Sequence, residues 1–240
     1  MQLTGPGVRA SGGTLAAARL SYRYPGASRH VVAGFTHTFD AGTLTAIVAP
    51  SGAGKSTLLS LLGLLLAPDD GTVSVDGTTC DWRRRAELTE LRTQRFAWVL
   101  QNNACFEKRT ATDNVAVALL ASGTPMRRAR DAAASALETV GLAAQGRQPA
   151  GQLSGGERQR MTIARALVAG RPVMLADEPT GNLDRASSLT VFDALRACAH
   201  AGATVVVATH DLQLAAVADH VVDLAADVCA PPGPTRAARG

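Results

Sequence analysis

Residues 49–57 read Ala49-Pro50-Ser51-Gly52-Ala53-Gly54-Lys55-Ser56-Thr57, APSGAGKST. The run comes within one residue of the phosphate-binding loop pattern G-x-x-x-x-G-K-[ST], in which glycines let the backbone wrap an anion and N–H groups point at its oxygens. Gly54, Lys55 and Ser56 are in place, and alanine stands where the first glycine would be. Alanine keeps its backbone N–H, so no donor is lost. Because Pro50 follows, residue 49 is pushed to the β or polyproline region with negative φ, where a Cβ is comfortable. A positive φ would cost it roughly 1–2 kcal/mol. Gly52 and Gly54 remain to make the wrap, so the loop is expected to hold a nucleotide.

The flanks support this. Residues 43–49 form an apolar, β-rich run into the loop, and 55–66 have the length and composition of a helix. Strand, glycine loop and helix in that order is the context a phosphate loop requires. Ser51, Gly52, Ala53 and Gly54 then form the cradle. Lys55 neutralises the β- and γ-phosphates, the Ser56 hydroxyl ligates Mg²⁺, and Thr57 reaches the α-phosphate. The helix adds its positive N-terminal end.

Further out, 14–20 and 31–39 read as short strands joined by a turn at Pro25-Gly26, and 72–76 as another. From 87 to 148 the chain reads as mostly helical, an insertion between two α/β parts. Alternation resumes with a helix at 155–169, a buried strand at 172–176, a helix at 185–199, a buried strand at 203–208 and a short helix. The runs VMLA and TVVVA do not alternate, as expected of parallel strands covered on both faces. The fold class is therefore α/β: a mostly parallel sheet core, an antiparallel N-terminal β part and a helical subdomain at about 87–170. The domain spans 14–225; the Gly-, Pro- and Arg-rich ends, 1–13 and 226–240, read as loose tails.

Composition bounds the rest. With 240 residues, 46% hydrophobic and 18% charged, the chain can bury a sizeable core. A net charge of +4 is too mild to argue for nucleic acid, and none is expected as a partner. The clusters at Arg83–Arg85 and Arg127–Arg128 read as solvated helix faces. Cys80, Cys105, Cys198 and Cys229 form no CxxC pair, so reduced thiols are expected rather than a zinc site or disulfide scaffold. The N-terminus has no apolar run of the secretory kind. The most apolar stretch, 58–67, is about half the length of a membrane span. Any membrane role is expected to come through a separate partner.

A second motif is more specific. Residues 153–160, LSGGERQR, stand just before a helix and offer a second anion-binding helix start at Ser154, Gly155 and Gly156. The run resembles the signature sequence of ATP-binding-cassette (ABC) ATPases. In that family the signature of one protomer covers the nucleotide held by the phosphate loop of the other, which implies a homodimer around two Mg-ATP. The resemblance extends to the remaining motifs, in the family's order. VMLADE (173–178) resembles its Walker B strand, with Asp177 holding Mg²⁺ through water and Glu178 polarising the attacking water. GNLD (181–184) resembles its D-loop, with Asp184 reaching across the dimer. His210, 32 residues beyond Glu178, resembles the switch histidine that contacts the γ-phosphate. Gln101 in FAWVLQNN resembles the Q-loop residue, touching Mg²⁺ or water at the entry to the helical subdomain. Tyr24 in SYRYPG resembles the aromatic that stacks on adenine, with Tyr22 as the competing candidate.

The resemblance covers about 14–225, and Ala49 is the one clear departure from the core motifs. The wording ADEPTGNLD is similar to a branch in which a stand-alone ATPase drives permeases for lipoprotein release, macrolide export or cell division. The implied function is an ATP-hydrolysing subunit on the cytoplasmic face of the membrane that drives a separate permease. The alternatives are a soluble ATPase of this fold serving a cytosolic assembly or nucleic-acid machine, and a non-hydrolysing, nucleotide-gated binding module.

Overall fold

The computed structural model describes residues 13–100, 104–181 and 183–227. Gln101 lies outside the described residues, as does most of both expected tails. Gly13, at the inner end of the first, is tied to the domain: its carbonyl accepts the Thr204 hydroxyl.

Two sheets and a set of helices make three layers. The antiparallel sheet contains β1 (Leu15–Tyr22), β2 (Val32–Phe39), β4 (Asp70–Val75) and β5 (Thr78–Thr79), in the order β2-β1-β4-β5. The parallel sheet contains β3 (Leu44–Val48), β6 (Phe96–Val99), β7 (Val173–Asp177), β8 (Thr204–Thr209) and β9 (His220–Asp223), in the order β6-β7-β8-β3-β9. The helices are α1 (Lys55–Leu62), α2 (Arg85–Arg95), α3 (Ala111–Leu120), α4 (Met126–Thr139), α5 (Gly155–Ala169), α6 (Arg185–His200), α7 (Leu212–Ala215) and α8 (Leu224–Asp227).

Every residue of β3, β7 and β8 is buried, the reason their sequences do not alternate. Period-2 geometry still divides them between two faces. Ile47, Val173, Leu175, Val206 and Ala208 join the cluster that holds α1 and the antiparallel sheet. Leu44, Met174, Ala176, Val205 and Val207 join the cluster built with α3 to α6. Helix α1 thus lies between the sheets. Leu58, Leu59, Leu61 and Leu62 are all buried, and each full burial is worth about 1.5–3 kcal/mol. That anchors a helix whose N-cap, Gly54, supplies no side-chain hydrogen bond.

Several elements differ from the sequence expectation. Helix α1 stops at Leu62 rather than running to residue 66. Gly63 packs so closely that a Cβ would lie 1.9 Å from Trp98 Cζ2, and Leu64 then turns to φ 61°. Within 87–148, residues Phe96–Val99 are not helical but form an edge strand paired with β7. At the opposite edge, β9 pairs in parallel with β3, a strand not anticipated from the sequence. β1 also runs on to Tyr22, two residues past the expected end.

Candidate functional site

The parallel sheet delivers three chain segments to one place. Val48 pairs with Thr209, and Asp177 with Ala208, so the carboxyl ends of β3, β7 and β8 lie side by side. Ligands of open α/β sheets sit at such strand ends. From β3 comes the glycine loop, from β7 the pair Asp177-Glu178, and from β8 His210.

The loop's geometry follows its sequence. The Ala53 N–H donates to the Pro50 carbonyl at 3.2 Å, closing a tight turn over exposed Ser51 and Gly52. Gly52 has φ 81° and Gly54 φ 96°, both left-handed. At Gly54 a Cβ would also lie 2.8 Å from the Val31 carbonyl oxygen, so only glycine fits. Ala49 is not among the left-handed residues, as the pre-proline argument requires. Its side chain joins the apolar cluster below the loop, and its carbonyl accepts a hydrogen bond from Lys55 Nζ at 2.8 Å. The alanine is thus built into the loop's support.

Lys55 is buried, and its ammonium also lies 3.4 Å from the Pro50 carbonyl and 3.4 Å from Glu178 Oε1. The other Glu178 oxygen, Oε2, lies 2.9 Å from His210 Nδ1 and accepts from the His210 backbone N–H at 3.4 Å. The carboxylate therefore bridges the loop lysine and the histidine. Glu178 holds this position from a left-handed backbone, φ 46°. Outside glycine this conformation costs on the order of 1–3 kcal/mol and persists only where its surroundings over-determine it.

Asp177 is buried beside it. Among the described residues its Oδ1 has no hydrogen-bond partner, although an unpaired buried carboxylate oxygen is costly. Burial pushes its carboxyl above the usual range, and neighbouring Glu178 adds to this; the Ser56 hydroxyl and Lys55 oppose it. An orphaned carboxylate oxygen beside a hydroxyl, facing a loop of anion-binding geometry, fits a hard divalent cation such as Mg²⁺.

Tyr24 stands at the head of a turn in which the Ala27 N–H donates to its carbonyl and Gly26 supplies φ 82°. The turn brings the Tyr24 hydroxyl to within 3.0 Å of Thr57 Oγ1, while Tyr22 packs edge-on against the Tyr24 ring at 5.1 Å. Of the two tyrosines, Tyr24 is the exposed one, and Tyr22 packs on the core.

The second helix start is at α5. Ser154 and Glu157 form a reciprocal capping box: Ser154 Oγ accepts the Glu157 N–H, and Glu157 Oε2 accepts the Ser154 N–H at 2.8 Å. These bonds, first from the Ser154 backbone and then its hydroxyl, hold the Glu157 carboxyl below its usual range. Space is open beside Gly155. Asp184 caps α6, accepting the Ser187 N–H and hydroxyl, and both bonds lower its carboxyl. Beside it opens a cleft of ≈ 520 Å³ lined by Glu178, Thr180, Leu183, Thr209, His210 and Asp211, with no residue of the glycine loop in its wall.

The structure thus brings Lys55, Asp177, Glu178 and His210 together and joins Tyr24 to Thr57. It places Ser154 and Asp184 at separate helix starts. The sequence alone assigned no role to Gln159, which is fully buried and donates from Nε2 to the Glu178 carbonyl at 3.3 Å.

Comparisons with known proteins bear on the family and the fold. Residues 32–181 match the model of the family described as ABC transporter. The lipoprotein-releasing system ATP-binding protein LolD of Bordetella pertussis is 47% identical over 179 residues, covering 74% of this chain and 78% of that protein. The macrolide export ATP-binding/permease protein MacB of Neisseria meningitidis is 37% identical over 195 residues, covering 81% of this chain but 30% of that protein. Among solved structures, the dimeric post-hydrolysis state of the ATP-binding cassette MJ0796 bound to ADP and Pi superposes with a TM-score of 0.80 at 29% identity, over 86% of this chain and 92% of the other. With the glycine loop, signature helix and strand-end carboxylates in one fold, this chain belongs to the ABC transporter family, as one of its ATPase domains.

Proposed function

We propose that two copies of this chain close head-to-tail around two Mg-ATP, hydrolyse them, and so drive a separate membrane permease from its cytoplasmic face. The observation that carries the reading is the placement of the Glu178 carboxylate between Lys55 and His210. Catalysis of phosphoryl transfer is largely positioning and electrostatic stabilisation, and these three residues divide that work. Lys55 leaves its loop carbonyls to neutralise the β- and γ-phosphates, while backbone N–H groups of residues 51–57 cradle them. Ser56 and Asp177 would hold Mg²⁺, with Gln101 as a further ligand. The ion, when bound, draws charge from the phosphate oxygens.

Glu178 accepts a hydrogen bond from a water molecule and polarises it. The water oxygen bonds to the γ-phosphorus as the bond to the ADP oxygen breaks, and the water's proton passes to the Glu178 carboxylate and from it to the released phosphate. His210 keeps Nδ1 on Glu178 and presents its other ring nitrogen to the γ-phosphate. Tyr24 stacks on adenine. Ser154, Gly155 and Gly156 of the second copy cover the γ-phosphate, and Asp184 crosses the interface.

The transport part rests on kinship. The LolD relative is named as the ATP-binding protein of a lipoprotein-releasing system, and the MacB relatives as combined ATP-binding/permease proteins. Among the described residues no helix is long and apolar enough to cross a membrane. The LolD relative, 78% of which this chain matches, is named as an ATP-binding protein alone, and this supports a permease on a separate chain. Phosphate release by Glu178→Gln tests the chemistry. Loss of a positioned base costs about 10²–10⁴-fold; a variant hydrolysing ATP at the wild-type rate would overturn the assignment. Co-purification of the wild-type chain with a permease from detergent-solubilised membranes tests the partner.

A further inference from the structure

Gln159 is the seventh of the eight residues of the signature run, and its side chain is fully buried. It sits on α5, whose N-terminus carries Ser154, and reaches the strand end that carries Glu178. The bond from Gln159 Nε2 to the Glu178 carbonyl, 3.3 Å, joins these two parts of the chain.

That carbonyl belongs to the left-handed residue. A strained backbone stays in place only while its hydrogen bonds fix it. Among the described residues Glu178 has three such bonds: its N–H donates to the Ala208 carbonyl on β8 at 2.9 Å, and its carbonyl accepts from the Gly181 N–H at 3.2 Å and from Gln159. The first two come from the sheet and the following turn, so they are local to the site. Only Gln159 comes from the signature helix. The next residue repeats the pattern: Arg160 Nη1 donates to Ser187 Oγ at 2.6 Å, and Ser187 in turn donates to Asp184. Adjacent side chains of one helix thus hold the Glu178 backbone and the Asp184 cap.

We infer that Gln159 is a positioning residue that holds the Glu178 carbonyl, and with it the left-handed turn that aims the carboxylate at Lys55 and His210, in register with the signature helix. The inference rests on the role proposed for Glu178. If α5 shifts when Ser154 engages a nucleotide, the carboxylate of the same chain shifts with it, and the two sites of a dimer become linked through one amide. The bond ends on the Glu178 backbone and makes no contact with Lys55, Thr57 or Tyr24, so its loss acts mainly on turnover and changes ATP affinity by less than removal of the Glu178 carboxylate does.

The test uses the full chain and two substitutions. Gln159→Glu keeps the shape but replaces the donor with an acceptor; Gln159→Met keeps the length and removes both. A displacement of about 1 Å at a reacting group can cost on the order of a hundredfold, so kcat should fall about ten- to a hundredfold. The Kd for a fluorescent ATP analogue should stay within about threefold. The His210 ring-proton NMR signal should move in the direction it moves in Glu178→Gln, because His210 Nδ1 reports the carboxylate directly. Ile163→Val, a buried change on the same helix, should leave that signal in place. Wild-type kcat in either Gln159 variant would overturn the inference, as would lost activity with an unmoved His210 signal, which is the mark of a merely structural residue. If neither variant folds, the wild-type protein decides: the Gln159 side-chain amide protons should be protected from solvent exchange, and rapid exchange would overturn the inference. If instead Glu178→Gln retains full activity, the failure lies with the role of Glu178.

Discussion

Lys55 Nζ and Glu178 Oε1 lie 3.4 Å apart, with the two side chains 7% and 14% exposed. The loop cation and the strand-end anion are therefore a nearly buried pair, and a phosphate arriving at Lys55 meets a carboxylate already there. Attraction to one group and repulsion from the other set the affinity. Glu178→Gln removes the repulsion and keeps the shape, so Mg-ATP should bind more tightly, up to about tenfold, or 1.4 kcal/mol. Lys55→Ala removes the attraction and should weaken binding by about ten- to a hundredfold, since a charge-assisted bond to a buried anion contributes roughly 1.5–3 kcal/mol. Calorimetry on both variants checks the opposite signs; equal affinities would mean that the loop does not hold the phosphates.

Ala49→Gly should change ATP affinity by less than about tenfold, on the order of 1.4 kcal/mol. Ala49 has no left-handed strain to relieve, its Cβ packs in the core, and its contribution to the loop is a carbonyl that glycine also carries. The same change should lower stability, because glycine gives up the buried methyl and adds freedom to the unfolded chain, together about 1 kcal/mol. A hundredfold gain in affinity would show that the methyl obstructs the site.

Tyr24 combines a ring for stacking with a hydroxyl bonded to Thr57. Tyr24→Phe separates them: it keeps the ring and its edge-on contact with Tyr22 but frees Thr57 Oγ1. ATP affinity should fall by no more than about fivefold, or roughly 1 kcal/mol, while Tyr24→Ala should cost at least tenfold through the lost aromatic face. Equal losses in the two variants would place the recognition in the hydroxyl instead.

The parts of this molecule visible in its sequence are those whose partners are close in sequence or whose burial is uniform. Strands β7 and β8 announce themselves because both faces are covered, and the glycine loop is a contiguous run. β9 does not: only one of its four residues is buried, and its place is set by parallel pairing with β3, a contact about 175 residues away along the chain. β6 is hidden in a helical stretch, since four residues on a sheet edge carry little pattern. At the site, Lys55, Asp177, Glu178 and His210 were visible as residues but not as a chain of contacts. Gln159 was visible only as a letter in a motif. Its partner is a backbone carbonyl, which no side-chain pattern encodes.

The two caps set a pH dependence. Glu157 and Asp184 have carboxyls below their ordinary values of 4.5 and 3.8, because each accepts hydrogen bonds that the unfolded chain lacks. A carboxyl lowered on folding contributes stability that is fully present above its unfolded value and lost as pH falls through its folded value. The difference in melting temperature between wild type and Glu157→Gln should therefore be constant above about pH 5.5 and shrink below pH 4.5. A difference that grows on acidification would contradict the capping box. Asp177 has the opposite sign: its carboxyl is raised by burial, so a proton competes with a cation there, and the Mg²⁺ concentration that half-supports ATP binding should rise as pH falls.

The glycine loop and the signature helix start at Lys55 and Ser154, two separate helix N-termini of one chain. If each ATP is held by the first of these and covered by the second from another copy, every nucleotide joins two chains across a two-fold axis. ATP then favours the dimer through its differential affinity for it, which is what shifts such an equilibrium. Glu178→Gln blocks hydrolysis while keeping the γ-phosphate contacts, so light scattering should show a dimer with Mg-ATP and a monomer without it. Adding Ser154→Arg should return the protein to monomer while leaving ATP binding by the glycine loop measurable, because the bulk falls on the other chain's nucleotide. Ser154 also caps α5, and loss of that cap alone costs about 1 kcal/mol. Ser154→Ala is therefore the companion variant: it removes the cap without the bulk and should weaken the dimer less than Ser154→Arg. A Glu178→Gln protein that stays monomeric at high protein and ATP concentration, both alone and with the permease, would exclude the shared site. Dimerisation that survives Ser154→Arg would place the contact elsewhere on the surface.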